Sequence, residues 1–431
     1  VNGQASADTI LNVENIKGTN DKDSIKGDEQ NNSILGLDGN DILLGEGGRD
    51  NLYGGAGSDE LFGGAADDTL VGGAADDTLS GGLGSDKIYG GDFDGTTHTD
   101  SGVDTVNYSD ALESLEIDLD LSLAGGLGDD GTIEGKSVGS TGDGGQGIDE
   151  LYGIENIIGS NYTADTIYGN NSSNIITTQA GNDTVEGRNG SDTIIAGSGN
   201  DLIIATAHND GIDYYDGGSN STGDTLDYSI LGSSNSISID LSVTATNTFV
   251  GSSSADAWQV TISGTGANND IIKGIENIKS GAGNDIIFAD SNANSLQGGA
   301  GADTLSGGDG IDVINGYYTA QSEATTQNDT VSYSYLSSKA VTVNLETGIA
   351  YVDANDNDTL ISIENLIGGA SSDIVTGSSD VNTLQGAAGD DTFKSSLGDD
   401  LIYGGTTSAD SHTNGDMVDY SNTINSNNKL F

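Results

Sequence analysis

Large apolar residues recur at every ninth position over the first part of the chain, without a slip from Gly18 to Tyr89. The positions are Ile25, Ile34, Leu43, Leu52, Leu61, Leu70, Leu79 and Ile88. In its fullest form, at residues 54–62, the repeat reads G-G-x-G-x-D-x-U-x, where U is large and apolar. Glycine-rich turns of about six residues, each followed by one apolar residue, predict strands of about three residues. Two repeats would then complete one coil of a parallel β-roll.

Segments of strict apolar–polar alternation interrupt this repeat. Their apolar residues are Leu115, Ile117, Leu119 and Leu121, then Ile237, Ile239, Leu241 and Val243, then Val341, Val343 and Leu345. Alternation with one apolar face predicts a half-buried strand, and we expect these strands to cover the open edge of a roll. The glycine-rich insert at 124–147 is predicted to be a loop. No segment has the period of an amphipathic helix, so the predicted fold class is all-β.

A longer repeat divides the chain into four modules. Each begins with an Asp six residues before a Glu-Asn-apolar triplet, at Asp8/Glu14, Asp149/Glu155, Asp270/Glu276 and Asp358/Glu364. Each closes with a phrase that runs from Asp to Tyr-Ser, at residues 104–109, 224–229, 329–334 and 416–421. We therefore predict β-roll modules at 1–110, 111–230, 231–335 and 336–431, joined by short capping strands.

The charge of the chain restricts its partners. Sixty-eight acidic and 12 basic residues give a net charge of −56, which disfavours nucleic acid and anionic membrane surfaces. Because the carboxylates are periodic rather than clustered in blocks, they indicate repeated cation sites. The absence of cysteine excludes disulfides and thiolate metal sites. No apolar run of about 18 residues occurs, so no transmembrane segment is predicted.

Stacked coils would place these carboxylates in two columns of like charge, which repel unless a cation lies between layers. Carboxylates together with main-chain carbonyls form an all-oxygen ligand set, which suits Ca²⁺ better than Mg²⁺. Two large apolar side chains per coil are too few to offset the entropy of ordering the coil. We therefore expect a chain that binds several calcium ions and is largely unfolded without them.

The candidate calcium ligands are one Asp per repeat and the glycines of the turns. The Asp residues are Asp23, Asp41, Asp50, Asp59, Asp68, Asp77, Asp86, Asp165, Asp183, Asp192, Asp201, Asp285, Asp303, Asp312, Asp373, Asp391 and Asp400. The glycines are Gly54, Gly55, Gly57, Gly63, Gly72, Gly81, Gly298 and Gly307.

Several interpretations remain open on the sequence alone. Gly/Asp-rich acidic segments are usually solvated linkers, although eight repeats in one phase argue against that here. The ligand position is Asn at Asn32, Asn174, Asn294 and Asn382. Since Asn keeps an oxygen but lacks the charge, weaker sites are expected there. The triplet Glu residues either cap the first coil or ligate a terminal ion. An EF-hand-like spacing from Asp353 to Glu364 is discounted because Asp358 stands where that loop requires glycine.

No catalytic constellation is predicted, so the chain is not expected to be an enzyme. The one G-x-S-x-G match, at residues 135–139, lies in the predicted loop rather than between a strand and a helix. His98, His208 and His412 are too dispersed for a metal triad and are interpreted as solvated loop residues. Trp258 lies in an alternating segment, where packing on the strand face is the simplest interpretation.

Through its nonamers, Glu-Asn triplets and closing phrases, the chain resembles the RTX, or hemolysin-type, nonapeptide-repeat proteins. The resemblance implies calcium-binding parallel β-rolls. It also implies type I secretion in an unfolded state, with folding on external calcium. In that family such rolls occur in toxins, exoenzymes, adhesins and surface-layer proteins.

Two functions are compatible with this resemblance. The first is a non-enzymatic, secreted structural protein of the bacterial cell surface, of the surface-layer, filament or adhesin type, which self-associates when calcium binds. The alternative is the calcium-folding, secretion-assisting region of a larger exoenzyme or toxin. Four modules favour the first, because an exoenzyme usually needs only one roll.

Overall fold

A computed structural model describes residues 13–93, 98–99, 102–120, 134–139, 147–205, 211–218, 223–242, 258–263, 269–317, 327–394, 396–405 and 415–421. Within these ranges every regular element is a strand, and no helix could span a membrane. The chain divides into two compact units. The first unit is Val1–Ile203 with Asp216–Ser219, and the second is Ile204–Tyr215 with Asn220–Phe431.

The strands are short and follow the repeat. The first group is β1 (Asn15–Lys17), β2 (Ser24–Lys26), β3 (Ser33–Asp38), β4 (Ile42–Gly47), β5 (Asn51–Ala56), β6 (Glu60–Ala65), β7 (Thr69–Ala74), β8 (Thr78–Leu83), β9 (Lys87–Phe93), β10 (His98–Thr99), β11 (Thr105–Asn107), β12 (Leu115–Asp118), β13 (Glu134–Gly139) and β14 (Ile148–Tyr152). The second group is β15 (Asn156–Ile158), β16 (Thr166–Tyr168), β17 (Ile175–Thr177), β18 (Thr184–Glu186), β19 (Thr193–Ile195), β20 (Leu202–Ile204), β21 (Tyr214–Asp216), β22 (Thr225–Asp227), β23 (Ser236–Asp240), β24 (Trp258–Gln259), β25 (Thr261–Ser263), β26 (Ile271–Lys273), β27 (Asn277–Lys279) and β28 (Ile286–Phe288). The third group is β29 (Ser295–Gln297), β30 (Thr304–Ser306), β31 (Val313–Asn315), β32 (Thr330–Ser332), β33 (Thr342–Asn344), β34 (Ile349–Asp353), β35 (Asp356–Ile361), β36 (Asn365–Ile367), β37 (Ile374–Thr376), β38 (Thr383–Gln385), β39 (Thr392–Lys394), β40 (Leu401–Tyr403) and β41 (Met417–Asp419).

In the regular part of the first unit, each strand pairs in parallel with the strand two repeats further along the chain. One sheet runs through β1, β3, β5, β7, β9 and β14, and the facing sheet runs through β2, β4, β6, β8, β11, β15, β17 and β19. In the regular part the register advances by 18 residues, so that Ile34 lies beside Leu52 and Leu52 beside Leu70. The coil of two nonamers and the all-β fold class are therefore confirmed.

The core lies between these two sheets and is thin. The repeat's large apolar residue points into it from each strand from β3 to β9, and Leu52, Leu61 and Leu70 are fully buried. Side chains alternate across a strand, so the residues on either side of the apolar one face outward or form the turn. Each coil therefore buries two large side chains, as predicted, and the remaining coil residues are turn or surface.

The second unit repeats this architecture. One of its sheets runs through β22, β27, β29, β31 and β35, and the facing sheet through β23, β28, β30, β32, β36, β38 and β40. The strands β33, β37, β39 and β41 pair in parallel with one another, and β34 joins them to β35 by antiparallel pairing on both sides. Ile278, Leu296 and Ile314 form its buried apolar column.

The alternating segments cover roll edges, as expected. Strand β12 pairs in parallel with β16, β23 with β28, and β33 with β37, so each lies on the first strand of a new run of repeats. The loop predicted at 124–147 is wrong over residues 134–139. These residues form β13, which pairs antiparallel with both β12 and β14. Strand pairing on both sides overrides the turn preference of the local glycines.

Candidate metal-binding turns

The Asp of each repeat lies at the end of the turn, two residues before the buried apolar side chain. This spacing directs both side chains inward, because residues two apart share one face of a strand. Asp41, Asp50 and Asp59 are each only 1% exposed. The turns therefore hold columns of buried carboxylates, which is an uncommon arrangement for acidic side chains.

One oxygen of each carboxylate is fixed by the coil that precedes it. The main-chain N–H of Asp41 donates to Oδ1 of Asp59 at 2.7 Å, and that of Asp59 donates to Oδ1 of Asp77 at the same distance. In the second unit the N–H of Asp285 donates to Oδ1 of Asp303 at 2.8 Å. Donor and acceptor are 18 residues apart in each case, so these hydrogen bonds form a ladder with one bond from each coil to the next.

The second oxygen has no donor in much of the column. Oδ2 is buried and accepts no hydrogen bond in Asp41, Asp50, Asp59, Asp68, Asp86, Asp183, Asp285, Asp303, Asp312 and Asp391. An unpartnered buried carboxylate oxygen is costly, since it has lost its water without gaining a donor. Repetition at the same repeat position indicates that these oxygens require either a proton or a cation.

Burial raises the pKa of Asp59, Asp68, Asp86 and Asp303. For Asp59 and Asp68, desolvation is the main cause, the N–H bond to Oδ1 opposes it, and the carboxylate of the preceding coil adds to it. The pKa of Asp59 rises to about 6, that of Asp68 to about 7 and that of Asp86 to about 8. In the second unit the pKa of Asp303 also rises to about 8. A cation between the coils would reverse this preference by favouring the ionised form.

The first glycine of the repeat makes room for these oxygens. A Cβ atom added to Gly63 would lie 2.5 Å from Oδ2 of Asp68 and 2.6 Å from the carbonyl oxygen of Gly81. Carboxylate and carbonyl oxygens therefore meet at a position that only glycine leaves open. The Oδ2 of the Asp five residues later flanks the other predicted first-position glycines in the same way, at Gly54, Gly72, Gly81, Gly298 and Gly307.

The second and fourth glycines serve a different purpose. Gly55 and Gly57 have φ angles of 119° and 122°, a region that favours glycine. Their Cα atoms face the carbonyl oxygens of Leu37 and Gly39 in the coil before. Leu37 occupies the second position itself with a φ of 92°, so the turn imposes this conformation even where glycine is absent.

These oxygens fit a calcium ion. Within the described residues no cluster of three or more His, Cys, Asp or Glu side chains could hold a metal by itself. An ion would therefore draw on carboxylates of successive coils together with the carbonyls of the turns. Unpartnered Oδ2 atoms beside carbonyl oxygens are all hard ligands, and Ca²⁺ accepts six to eight of them in flexible geometry.

Four predicted ligands differ, because local donors already satisfy their Oδ2. That of Asp23 accepts from the N–H of Thr19, that of Asp165 from Ser160, that of Asp373 from Gly369 and that of Asp400 from the Ser396 hydroxyl. The first three stand at the start of a run of repeats. The remaining predicted ligands Asp77, Asp192 and Asp201 lie in the column, where Oδ1 accepts the N–H of Asp59, Asn174 and Asp183.

The closing phrases supply ligand positions that were missed from the sequence. Asp104, Asp329 and Asp416 each take the next place in a column, where Oδ1 accepts the N–H of Asp77, Asp303 and Asp391 respectively. The sequence does contain the signal that marks a ligand position, because these Asp residues also stand two positions before an apolar residue. Their spacing of 25–27 residues instead of 18 hid it.

Each closing phrase is joined to the next triplet by a carboxylate and a tyrosine. The N–H of Asp329 donates to Oε2 of Glu364 at 2.8 Å, and the buried Tyr333 hydroxyl donates to Oδ2 of Asp358 at 2.7 Å. The same pairs recur as Asp104–Glu155 with Tyr108–Asp149, and as Asp224–Glu276 with Tyr228–Asp270. We call each set a junction. The Glu residues here cap a coil, which favours that interpretation over a terminal ion.

The Asn residues in the ligand position of the later modules combine a side-chain oxygen near the turn with an amide donor. The amide Nδ2 of Asn174, Asn294 and Asn382 donates to the main-chain carbonyl of the triplet Glu, at 2.6, 2.8 and 2.8 Å. Each of these Asn residues keeps an oxygen but lacks the charge of Asp, so weaker calcium sites at these positions stay a prediction.

Replacing Tyr333 with Phe is expected to destabilise the second unit by about 1–3 kcal/mol, the usual cost of leaving a buried acceptor unsatisfied. The hydroxyl is the donor to Oδ2 of Asp358 in a site where Tyr333 is 1% exposed. Urea unfolding in saturating calcium measures the change. Tyr351→Phe is the matched control, because that side chain is 51% exposed. Equal midpoints for the two variants would contradict the role of the hydroxyl.

The calcium-free chain is expected to be more stable at pH 5.5 than at pH 8. The pKa of Asp86 and of Asp303 is about 8 in the folded state, against 3.8 ordinarily. Their contribution is fully present below about 3.8 and is lost as the pH rises through about 8, because the folded state then has to release protons. The β-sheet signal in far-UV circular dichroism, measured in metal-depleted buffer from pH 5.5 to pH 8, tests this, and a signal that rises with pH would contradict it. Asp86→Asn should weaken the dependence.

The G-x-S-x-G match at 135–139 does not lie in a loop, because it forms part of β13, which pairs with a strand on each side. Asp353 ends one arm of the antiparallel hairpin β34–β35, in keeping with the rejection of an EF-hand loop there. The side chains of Trp258 and of the three histidines lie outside the described residues.

Comparison with known families identifies one repeated sequence in this chain. The RTX calcium-binding nonapeptide repeat (4 copies) matches residues 17–52, 35–70, 44–79, 62–96, 160–194, 186–219, 276–316, 362–393 and 376–406. These ranges together cover more than half of the 431 residues and include the carboxylate columns of both units. No curated protein matches the chain.

Proposed function

The chain belongs to the RTX calcium-binding nonapeptide-repeat family, and from this premise we propose that it is a non-enzymatic structural protein of the bacterial cell surface. It is secreted, folds when it meets external calcium, and self-associates as a surface-layer, filament or adhesin component. Calcium acts as the folding ligand of the rolls rather than as a catalytic metal.

The observation that carries this proposal is the repetition of one buried carboxylate arrangement through both units. Among the described residues, ten carboxylates at the same repeat position have an unpartnered Oδ2. A chain built in this way converts calcium binding into rigidity over most of its length. Such stiffening suits a load-bearing or lattice-forming protein, because each coil contacts mainly its neighbours and the structure extends by repetition.

A calcium titration followed by circular dichroism, light scattering and electron microscopy tests the proposal. We expect β-structure and sheets or fibres to appear over the same calcium range. Folding without assembly would favour the alternative, a folding and secretion region whose activity lies in another part of a larger protein. Absence of both folding and binding would reject the role of calcium. Magnesium at equal concentration is the control, since it holds its waters and suits these oxygens less well.

A further inference from the structure

One carboxylate outside the nonapeptide turns has no hydrogen-bond partner for either of its oxygens. Asp356, the first residue of strand β35, is 2% exposed, and neither Oδ1 nor Oδ2 accepts a hydrogen bond. Among the described residues, it is the only carboxylate with both oxygens buried and without a donor. Because burial of both oxygens without a donor is costly, this side chain requires a proton or a cation.

The side chain of Asp356 points toward the column of repeat carboxylates. Residues 356, 358 and 360 of β35 are buried, whereas the residues between them are not, so Asp356 shares the inward face with Asp358 and Leu360. The N–H of Asp312 donates to Oδ1 of Asp358 at 3.1 Å, which places the turn before β31 beside this part of β35. Desolvation raises the pKa of Asp312 to about 8, and the nearby charges of Asp358 and Asp356 add to the rise.

Three carboxylate oxygens are unused at this place. Both oxygens of Asp358 are occupied, since Oδ1 accepts the Asp312 N–H and Oδ2 accepts the Tyr333 hydroxyl. The two oxygens of Asp356 and Oδ2 of Asp312 are buried and accept no hydrogen bond. These hard ligands suit Ca²⁺, which often binds one carboxylate through both oxygens, better than Mg²⁺. Since no cluster of three acidic, His or Cys side chains occurs in the described ranges, main-chain carbonyls or water would complete the shell.

The lysine beside this site is bound to other carboxylates. Lys339 Nζ lies 2.9 Å from Oδ2 of Asp353 and 3.7 Å from Oδ1 of Asp309. These three side chains are 45–59% exposed, so they form a charged rim at the surface. Desolvation raises the pKa of Asp356 to about 6, and the positive charge of Lys339 offsets only part of that rise. Asp356 therefore has a positive charge nearby but no donor bound to it.

The position of Asp356 is occupied differently in the repeats. Two residues before the column Asp, the fullest repeat has Gly57 and the first junction has Gly147. Their φ angles are 122° and 76°, whereas Asp356 does not have a positive φ. The antiparallel hairpin β34–β35 gives this position a backbone, and hence a side-chain direction, that the nonapeptide turn does not provide. A ligand set that includes Asp356 therefore differs from that of the repeats.

We propose that Asp356 binds a calcium ion at a site outside the nonapeptide turns. Both oxygens of Asp356 and Oδ2 of Asp312 are the carboxylate ligands. Because Asp356 belongs to the hairpin β34–β35 and Asp312 to the turn before β31, the ion fastens the hairpin to that coil. The exposed carboxylates of Asp309 and Asp353 attract cations to this part of the surface. The site does not depend on self-association and so goes beyond the proposed function.

The variant Asp356→Asn tests the site in the 431-residue chain, because the amide keeps the shape of the side chain and removes its charge. In saturating calcium, native mass spectrometry should count one ion fewer than in the unmodified chain. Hydrogen exchange of the hairpin amides at 349–361 should be about 100-fold faster, the factor lost with a site held at 100 times its dissociation constant. The amides of β5 should exchange at an unchanged rate.

Asp380→Asn is the matched control. Asp380 also stands two residues before a column position, that of Asn382, but its side chain is exposed. This variant should keep the calcium count and the protection of residues 349–361. Loss of an ion from both variants would show that net charge sets the count and would overturn the proposal. Equal counts and equal hairpin protection in Asp356→Asn and the unmodified chain would also overturn it.

Lys339→Gln is the second variant, and it tests the proposal even if Asp356→Asn does not fold. The ammonium group repels an ion at Asp356. Its removal should therefore lower, by roughly threefold, the calcium concentration at which hairpin protection is half complete. The corresponding concentration for β5 is the internal reference and should stay the same. An unchanged concentration for the hairpin would overturn the calcium site. Weaker hairpin protection would identify Lys339 as the partner of Asp356 and would overturn it as well.

Discussion

Chelating calcium from the folded chain is expected to abolish most of its β-sheet circular dichroism. Buried Oδ2 atoms without a donor, such as those of Asp50, Asp68 and Asp86, would then repel one another across coils a strand spacing apart. The core cannot compensate, because each coil buries two large side chains such as Leu52 and Leu61. Each site held at 100 times its dissociation constant contributes about 2.7 kcal/mol, and several such sites exceed the usual stability of a domain.

Far-UV circular dichroism during an EGTA titration at pH 8 measures this loss, and re-addition of calcium should restore the signal. Potassium chloride at matched ionic strength is the control, because screening alone relieves part of the repulsion in a chain of net charge −56. A spectrum that keeps its β-sheet signal in EGTA would contradict the role of calcium in folding.

Replacing Gly63 with Ala is expected to destabilise the first unit by about 2–3 kcal/mol and to remove calcium binding at that coil. The added Cβ would lie 2.5 Å from Oδ2 of Asp68 and 2.6 Å from the carbonyl oxygen of Gly81. Gly63 does not have a positive φ, so the effect would come from these contacts rather than from backbone strain.

Gly232→Ala is the matched control, because a Cβ there would have no atom within 4 Å and the backbone again has no positive φ. Urea unfolding in saturating calcium and calorimetric counting of bound calcium compare the two variants. Equal stability and equal calcium content would show that the oxygens beside Gly63 do not form a binding site.

The repeating part of the fold could be predicted because one local signal dictates it. An Asp, an apolar residue two positions later and glycines before them determine turn, strand and column together, as at residues 54–62. The prediction of a loop at 124–147 was wrong over residues 134–139, because β13 pairs with a strand on each side. Local glycine content carries no information about that pairing. Long-range strand pairing is the part of β-structure that composition predicts least well.

The sequence predicted the repeating Asp positions of the site, but not the places where the Asp columns are interrupted. The sequence identified the Asp columns, yet it could not show that the Tyr333 hydroxyl satisfies Asp358 or that the Asn382 amide satisfies the carbonyl of Glu364. Those contacts join residues 25 and 18 positions apart, and side-chain direction decides them. The columns are consequently interrupted by hydrogen-bonded junctions, which the spacing of carboxylates alone does not reveal.

The ladder from the Asp41 N–H to the Asp59 carboxylate also limits how the gene can change in length. Adding or deleting 18 codons within a regular run would insert or remove one whole coil and leave every later contact in phase. A change of nine would move each following strand to the opposite sheet, and any other number would separate Asp from its turn. Variants of this protein should therefore differ in length by multiples of one coil within the runs, with irregular changes confined to the junctions.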